Sequence, residues 1–291
     1  MVLDQLSQMA RAVEDAWAAP WAALGEVQAV SRTIVEHVAD PAEQYLRVYT
    51  PGIPEMLLNL VMCYRAERPI GSADIERVIA PFRQHRLPFQ WWVTPGLEPQ
   101  GLRERLRALG MQSWGGSTSM TLSLPGWRSH YRSPAAGTTL SRARTENEAH
   151  TALNVICEVY YLMWEPMARW ALYSPGVRTY YATLNGHPVA ALTTMARNGI
   201  VLIYNVATLP GARRRGIAGN LVALALSDAR AEGCILAALT ATAEARHLYE
   251  ELGFRACGTM EQWAPSHAFS YALQQGQRND SVPEGRHPLW R

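Results

Sequence analysis

Lysine is absent from this sequence, so all 27 of its lysine and arginine residues are arginine. Codon bias in a GC-rich genome would produce this composition, and selection against the chemistry of the lysine side chain is the alternative. The arginines barely outnumber the 25 acidic residues, which leaves a formal net charge of +2. A chain so close to neutral gives no sign of binding nucleic acid or a membrane surface, and we expect neither partner.

Cysteines and long apolar runs are also scarce. The four cysteines, Cys63, Cys157, Cys234 and Cys257, form no C-x-x-C pair and have no histidine cluster beside them. This spacing predicts buried, reduced thiols and no metal site. No run reaches the ~18 unbroken apolar residues of a membrane span, and the first residues lack the basic and then apolar build of a signal peptide. We therefore expect a soluble, cytoplasmic protein.

A hydrophobic fraction of 48% against 18% charged residues predicts a packed core, and 291 residues leave room for two domains. Before residue 125, the periodicity predicts alternating helices and strands. The predicted elements are a helix over 3–38 with a break at Pro20, strands over 45–50, 56–64 and 89–93, a helix over 73–85 capped by Ser72, a helix over 100–109, and a hairpin around Gly115 and Gly116.

Residues 124–137 are rich in proline, glycine and serine, which predicts a linker. The chain after it again alternates between strand and helix patterns. The predicted elements are a strand over 138–142, helices over 146–160 and 163–172, a hairpin of 177–184 with 188–195, a strand over 200–208, a helix ending at Glu232, a strand over 234–240, a helix over 243–252 capped by Thr242, and a strand over 254–263. Residues from 265 onward are polar and predict a loosely ordered tail.

One stretch combines a strand, a turn and the start of a helix with a cluster of positive charge. A proline–glycine turn after the strand leads into Arg213-Arg-Arg-Gly216-Ile-Ala-Gly219, and a helix follows. Small residues at the start of a helix let a ligand approach the backbone closely. The free N–H groups and the positive end of the helix dipole suit a phosphate or pyrophosphate, and the arginines add positive charge. The stretch predicts a site for an anionic ligand.

Two motifs in the C-terminal half resemble those of the GNAT superfamily of N-acetyltransferases. Val206-Ala-Thr-Leu-Pro210, followed by Arg213-Arg-Arg-Gly216-Ile-Ala218, resembles the family's R/Q-x-x-G-x-G/A loop, which binds acetyl-coenzyme A. Downstream, Tyr249-Glu-Glu-Leu-Gly-Phe254 is similar to the family's tyrosine followed by Leu-Gly-Phe. The resemblance covers about residues 138–264. It departs from the pattern at Arg214, where many members have glycine, and at Ala218, which replaces the second glycine.

The resemblance implies the GNAT fold, an α/β architecture (α+β by some schemes) with a mixed, twisted central sheet flanked by helices. The run from Leu106 to Met111 echoes the run from Tyr249 to Phe254, and each follows a strand and a short helix. This predicts a degenerate second copy of the fold, with leucine in the tyrosine's place and without a glycine loop. A chance match of a common pattern is the alternative. The predicted domains are 1–125 as the degenerate copy with a leading helix, 126–137 as the linker, 138–264 as the catalytic copy and 265–291 as the tail.

The resemblance also implies a co-substrate, acetyl-CoA or another acyl-CoA, and no metal. Backbone amides from Arg214 to Asn220 would hold the pyrophosphate, and the strand edge at 205–207 would pair with pantetheine. A backbone N–H near Val206 would polarise the thioester carbonyl. The residues predicted to bind the co-substrate are Asn205, Val206, Ala207, Arg213, Arg214, Arg215, Gly216, Ile217, Ala218, Gly219, Asn220 and Thr242.

Tyr249 stands where the family places the tyrosine that protonates the departing thiolate, and a phenol with a pKa of about 10 suits that role. A tyrosine that only packs in the core is the alternative. The strands over 177–184 and 200–208 carry no carboxylate, so the general base stays open between Glu158, Glu165 and an ordered water chain. The implied reaction is direct attack of an amine on the thioester.

Aromatic residues crowd the segment after residue 159, and we expect Tyr161, Trp164 and Trp170 to bind the acceptor. Packing against the rest of the protein is the alternative. The sequence has no acidic run for a polycation, which favours a small, partly apolar amine. Three functions stay open: acetyl transfer to such an amine, N-acyl transfer with a longer acyl-CoA or to a protein or peptide amine, and a non-catalytic CoA-binding regulatory module. The apolar N-terminal helix also permits a homodimer.

Overall fold

A computed structural model describes residues 2–26, 33–40, 42–54, 56–129, 133–160, 171–172, 174 and 176–265. Contacts group the chain into two compact units, one formed by Met1–Ser119 with Cys257–Arg291 and the other by Met120–Ala256. The predicted domains 1–125 and 138–264, with a linker at 126–137, stay a prediction. Within the described ranges, every helix is too short or too polar to cross a membrane.

The described helices and most of the described strands of the first unit lie before residue 120. In chain order these are α1 (Val2–Glu26), β1 (Ile34–Asp40), β2 (Glu43–Tyr49), β3 (Leu60–Ala66), α2 (Ser72–Gln84), β4 (Gln90–Val93), α3 (Leu102–Ala108) and β5 (Met111–Ser123). Strands β1, β2 and β3 pair antiparallel, and β3 pairs parallel with β4. Buried aromatic rings dominate the core of this unit, among them Phe82, Trp91 and Trp263.

The second unit begins within β5. In chain order the elements are β6 (Thr138–Arg142), α4 (Glu146–Tyr160), β7 (Val177–Leu184), β8 (His187–Arg197), β9 (Ile200–Thr208), α5 (Ile217–Ala231), β10 (Leu236–Ala241), α6 (Arg246–Glu251) and β11 (Arg255–Pro265). Strands β6 to β9 pair antiparallel in order, and β9 pairs parallel with β10. From Cys257 onward β11 belongs to the first unit, where it pairs antiparallel with β4.

The same order of helices and strands occurs twice along the chain. The first series is α1-β1-β2-β3-α2-β4-α3-β5, and the second is α4-β7-β8-β9-α5-β10-α6-β11. The two series agree in the type of each element. In both, the first three strands pair antiparallel and the third pairs parallel with the fourth. The third strand of each series carries a bulge and a residue at positive φ. This residue is Cys63 in β3, with a φ of 56°, and Asn205 in β9, with a φ of 52°. The mixed sheet with flanking helices that the sequence predicts is thereby confirmed.

The predicted helix over 3–38 is wrong at its C-terminal end. Helix α1 spans Val2–Glu26, and residues 34–40 form strand β1, which pairs with β2 over its whole length. The spacing of Ile34, Val35 and Val38 fits a strand as well as a helix, and β-branched residues favour the strand. Gly25 allows α1 to pack closely on β1, because a Cβ there would lie 3.0 Å from Cβ of Val35.

The predicted hairpin around Gly115 and Gly116 is also wrong, since β5 runs without a turn from Met111 to Ser123. Gly116 instead permits the close approach of another strand. A Cβ on Gly116 would meet the side chain of Thr259 at 2.6 Å and the carbonyl oxygen of Met260 at 3.1 Å. Glycine inside a strand marks such close approaches as often as turns. By contrast, the hairpin at Asn185-Gly186 is confirmed, with both residues at positive φ.

Candidate active site

Strand β9 carries a bulge near its C-terminal end. Asn205 and Val206 together stand opposite Leu192 of β8, because the pairing shifts between Ala191 with Ala207 and Thr193 with Tyr204. A bulge takes one residue out of the regular ladder and turns its backbone groups away from the neighbouring strand. Asn205 adopts the left-handed conformation, which asparagine tolerates better than most residues. Its side-chain amide donates to the hydroxyl of Thr193 at 3.4 Å.

The last residue of α4 reaches this bulge. The hydroxyl of Tyr160 donates a hydrogen bond to the carbonyl oxygen of Val206 at 2.7 Å. Burial raises the pKa of Tyr160 to about 12, and the positive charge of Arg213 opposes the rise. The phenol is therefore protonated at neutral pH and lies near the arginine run that follows β9.

A short loop joins β9 to α5. Residues 210–212 form a single 3-10 turn, and Nε of Arg213 donates to the carbonyl oxygen of Thr208 at 3.0 Å, which ties the loop to the end of the strand. The side chains of Arg213, Arg214 and Arg215 are exposed. Arg214 has a φ of 59°, a left-handed conformation that glycine adopts without strain. This conformation explains why glycine is favoured at the position.

Helix α5 begins at Ile217 with Gly216 as its N-cap, at a φ of 72°. The backbone N–H and the side-chain amide of Asn220 both donate to the carbonyl oxygen of Gly216, at 3.1 and 2.8 Å. The three amides before Asn220, those of Ile217, Ala218 and Gly219, occupy the first turn, where a helix supplies no acceptor of its own. With the helix dipole and three exposed arginines, these amides form a place suited to an anion.

Tyr249 lies on α6 with only 5% of its surface exposed. Its ring meets that of Phe254 edge to face, with ring centroids 5.9 Å apart. Burial raises the pKa of Tyr249 well above that of a free tyrosine, and the nearby Tyr160 adds to the rise. Two phenols, one carbonyl at the bulge and the arginine run therefore lie close together: Tyr160 bonds to Val206 and interacts electrostatically with both Tyr249 and Arg213.

Thr242 follows β10 and lies beside the start of α6. The predicted helix over 243–252 is too long, because α6 begins at Arg246 and residues 242–245 form a turn. The carbonyl oxygen of Thr242 accepts from the amides of Ala245 and Arg246, and its hydroxyl accepts from Ala245 at 3.4 Å. The hydrogen bond from the amide of Ala245 to Thr242 closes this turn, so the helix starts one turn later than the cap pattern predicts.

The other predicted site residues divide into two groups. Glu158 is exposed on α4 and stays a prediction as a general base. The remaining four lie outside the described residues: Glu165, Tyr161, Trp164 and Trp170. Sequence reasoning gave Tyr160 no individual role, although a signal was present. Leu153, Ile156 and Tyr160 recur at helical spacing, which places the phenol on the inward face of α4.

The first unit has its own version of the arginine–glycine loop. Arg68-Pro-Ile-Gly71-Ser-Ala73 precedes α2 with the spacing of Arg213-Arg-Arg-Gly216-Ile-Ala218 before α5. The expectation that this copy lacks a glycine loop is therefore wrong, as is the prediction that Ser72 caps the helix, because Gly71 is the N-cap. The two loops differ in backbone, since Gly71 is extended with a φ of −102°.

A carboxylate occupies the start of α2. The third helical residue, Asp74, accepts from the backbone N–H of Gly71 at 2.8 Å and from both terminal nitrogens of Arg68, at 2.8 and 2.7 Å. Arg77 donates to the same carboxylate at 3.2 Å. These donors, the Arg68 guanidinium first, hold the pKa of Asp74 well below its usual range. In α5 the third helical residue is Gly219, which has no side chain to take this position.

A second carboxylate of the first unit is buried beside the parallel pair of β3 and β4. Glu14 of α1 accepts from the hydroxyl of Thr94 at 2.9 Å and from Arg65 at 2.6 Å, and only 5% of its surface is exposed. Burial raises the pKa of Glu14, and the charge of Arg65 opposes the rise. Thr94 follows β4 as Thr242 follows β10. Glu14, Asp15 and Cys63 lie close enough to bind a metal ion, but Arg65 already bonds to both carboxylates.

Residues 145–254 match the model of a family described as the acetyltransferase (GNAT) family. Among solved structures, a GCN5-related N-acetyltransferase from Kribbella flavida is similar over 85% of this chain and 95% of its own, at 19% identity and a TM-score of 0.63. Another, from Sphaerobacter thermophilus, matches over 87% and 91%, at 17% identity and a TM-score of 0.59.

A tandem GNAT protein from the clavulanic acid biosynthesis pathway matches over 87% of this chain and 94% of its own, at 14% identity and a TM-score of 0.58. At these identities the similarity extends to the fold. A search of curated proteins found no match to the chain.

Proposed function

We propose that this chain, whose residues 145–254 belong to the GNAT acetyltransferase family, transfers an acetyl group from acetyl-CoA to a small-molecule amine. The observation that carries the proposal is the meeting of three features in the second unit. The bulge at Val206 and the amides at the start of α5 lie at the two ends of the loop that Arg213 ties to β9, and the buried phenol of Tyr249 lies near Tyr160, which bonds to that bulge.

The start of α5 supports the binding of the pyrophosphate of coenzyme A. Its first-turn amides and its dipole favour an anion, and the exposed arginines add positive charge without internal carboxylate partners among the described residues. Beyond the bulge, the edge of β9 at Val206 and Ala207 would pair with the amides of pantetheine, as an added strand pairs with a sheet edge. Glycine at positions 216 and 219 puts no side chain beside the first-turn amides.

The reaction follows from these positions. The amine nitrogen attacks the thioester carbonyl carbon, so that a C–N bond forms and the C–S bond breaks. The N–H of Val206 stabilises the developing oxyanion. Tyr249 donates its proton to the departing thiolate, a role that a phenol kept protonated by burial can fill at neutral pH. The proton lost by the amine passes to Glu158, Glu165 or water, which stay the candidates for the base.

We also propose that each chain binds one co-substrate molecule, because the first unit fills its own site. Asp74 takes the place of a phosphate between Gly71 and Arg68. Thr94 corresponds to Thr242 of the second unit, and the carboxylate of Glu14 occupies the space beside Thr94. A ligand phosphate would have to displace a carboxylate that accepts several charge-assisted hydrogen bonds. The first unit is thus a degenerate copy, in which the carboxylates of Asp74 and Glu14 occupy the positions that a bound anion would take.

The acceptor is proposed to be a small, partly apolar amine bound by Tyr161, Trp164 and Trp170, in a cytoplasmic enzyme without a metal. A near-neutral chain offers no basis for binding nucleic acid. Calorimetry with acetyl-CoA and with longer acyl-CoA esters tests the co-substrate. Release of free thiol with a panel of amines, amino acids and peptides tests the acceptor. Binding without thiol release from any acceptor would favour a regulatory CoA-binding module, and no binding of any acyl-CoA would contradict the proposal.

A further inference from the structure

Tyr160 has a buried hydroxyl at the centre of the site, and the mechanism above assigns it no task. The inference that follows rests on the proposed function and concerns what this hydroxyl does for the reaction. The hydroxyl donates a hydrogen bond to the backbone of β9, at the carbonyl oxygen of Val206.

The geometry of the bulge gives this bond a consequence. The carbonyl of Val206 belongs to the peptide that joins it to Ala207, and a bulge residue lacks the ladder bond that fixes such a peptide in a regular strand. The bond from Tyr160 replaces that restraint and fixes ψ of Val206. Without it, the peptides on both sides of Val206 would be freer to rotate. One of them carries the N–H proposed to face the thioester carbonyl.

The surroundings separate Tyr160 from a simple core residue. The hydroxyl interacts electrostatically with Arg213 of the loop and with Tyr249 of α6, so it lies near both the arginine run and the proposed proton donor. Its proton is committed to Val206, which leaves Tyr249 as the phenol available to the leaving group.

We propose that Tyr160 is a positioning residue, which holds the backbone of Val206 so that its N–H points at the acyl carbonyl of the bound co-substrate. Tyr160→Phe removes the hydroxyl and keeps the ring. We expect kcat to fall by at least about tenfold, a fraction of the loss seen when an oxyanion donor is removed outright. Affinity for CoA without an acyl group should change by less than about twofold, because the α5 amides hold its pyrophosphate.

Tyr180→Phe is the matched control. Tyr180 is also buried in the second unit, and its hydroxyl donates to a side chain, Asp228, at 3.2 Å. The variant removes a buried tyrosine hydroxyl that bonds to α5, and it leaves the hydrogen bond from Tyr160 to β9 in place. It should leave kcat and CoA affinity unchanged, while its loss of stability measures what a buried tyrosine hydroxyl contributes structurally.

The deciding measurement is the infrared band of the thioester carbonyl of acetyl-CoA labelled with 13C at that carbon. Bound to the wild type, the band should shift to lower frequency than in water, because a directed N–H polarises the carbonyl. Tyr160→Phe should lose most of this shift, and Tyr180→Phe should keep it.

Retention of both the shift and kcat by Tyr160→Phe would overturn the positioning role while leaving the transferase proposal intact. Equal losses of CoA affinity in both variants would also overturn it, as a structural effect. Failure of the wild type to bind acetyl-CoA would overturn both proposals.

Discussion

The carboxylate of Asp74 accepts a hydrogen bond from the backbone N–H of Gly71 at 2.8 Å, at the start of α2. Arg68 donates to the same carboxylate through both terminal nitrogens. The corresponding helix of the second unit has Gly219 at that position. One side chain therefore distinguishes the two helix starts, because Gly219 has no carboxylate to accept from the amides of α5.

Gly219→Asp should close the open loop in the way that Asp74 closes the other. A carboxylate at the third helical position would compete for the amides of the first turn and repel a phosphate. We expect affinity for CoA to fall by about tenfold to a hundredfold, as for the loss of charge-assisted hydrogen bonds. Titration calorimetry with CoA measures it.

Gly219→Asn is the control for this change, because asparagine has the same shape without the charge. It should weaken CoA binding much less than aspartate does. Equal weakening in the two variants would mean that the position tolerates no side chain at all, and the comparison with Asp74 would lose its support.

Asp74→Asn should destabilise the protein without creating a second CoA site, since the amide side chain still occupies the start of α2 and Glu14 still bonds to Thr94. The loss of a charged cap should cost about 1–2 kcal/mol of unfolding free energy at pH 7. The pKa of Asp74 is depressed in the folded state, so its contribution is present above the ordinary aspartate pKa of about 3.9 and is lost as the pH falls. Urea unfolding at pH 7 and pH 3 should therefore show a difference between wild type and variant that shrinks at the lower pH. A difference that stays constant would contradict the assignment.

Tyr249→Phe should lower kcat by about 100-fold or more, the usual contribution of general acid–base catalysis. Affinity for acetyl-CoA should stay near that of the wild type, because the loop and the β9 edge are unchanged. Tyr181→Phe serves as the control, since its hydroxyl donates to Glu148 on the surface of α4. A Tyr249→Phe variant that releases thiol at the wild-type rate would leave the tyrosine as a packing residue.

Alkaline stability should report on the same two phenols. Burial raises the pKa of both Tyr160 and Tyr249 above the value of about 10 of an unfolded chain, to about 12 for Tyr160. The unfolded state then loses protons first, so their contribution is intact below pH 10 and declines between pH 10 and 12. Unfolding free energies measured by urea across this range should fall less steeply in Tyr160→Phe than in the wild type. Parallel pH slopes would show that the phenol is not buried as described.

Local patterns in the sequence were enough to predict most of the second unit. The hairpin at Asn185-Gly186, the strand β9 and the helix that follows the arginines all depend on turn chemistry and periodicity within a few residues. The same reasoning failed at Gly115 and Gly116, because the strand that approaches Gly116 is β11, more than 140 residues later in the chain. No local signal reports so distant a neighbour.

The site was predictable in its motifs and not in its contacts. The R-x-x-G-x-A loop and Tyr249 carry family patterns in the sequence. The bond between Tyr160 and Val206 depends on a bulge whose register only pairing with β8 reveals. Arg68 and Gly71 show the loop spacing openly, but the role of Asp74 becomes visible only through its distances to them. Spacing identifies a loop, and contacts tell whether the loop is occupied.

Titration calorimetry of the wild type with acetyl-CoA, repeated with Arg213→Ala, tests the central claim most directly. The account predicts saturable binding of one molecule per chain, weakened in the variant because Arg213 both ties the loop to Thr208 and adds charge beside the first turn of α5. Two molecules per chain would contradict the filled state of the first unit, and no binding at all would contradict the account as a whole.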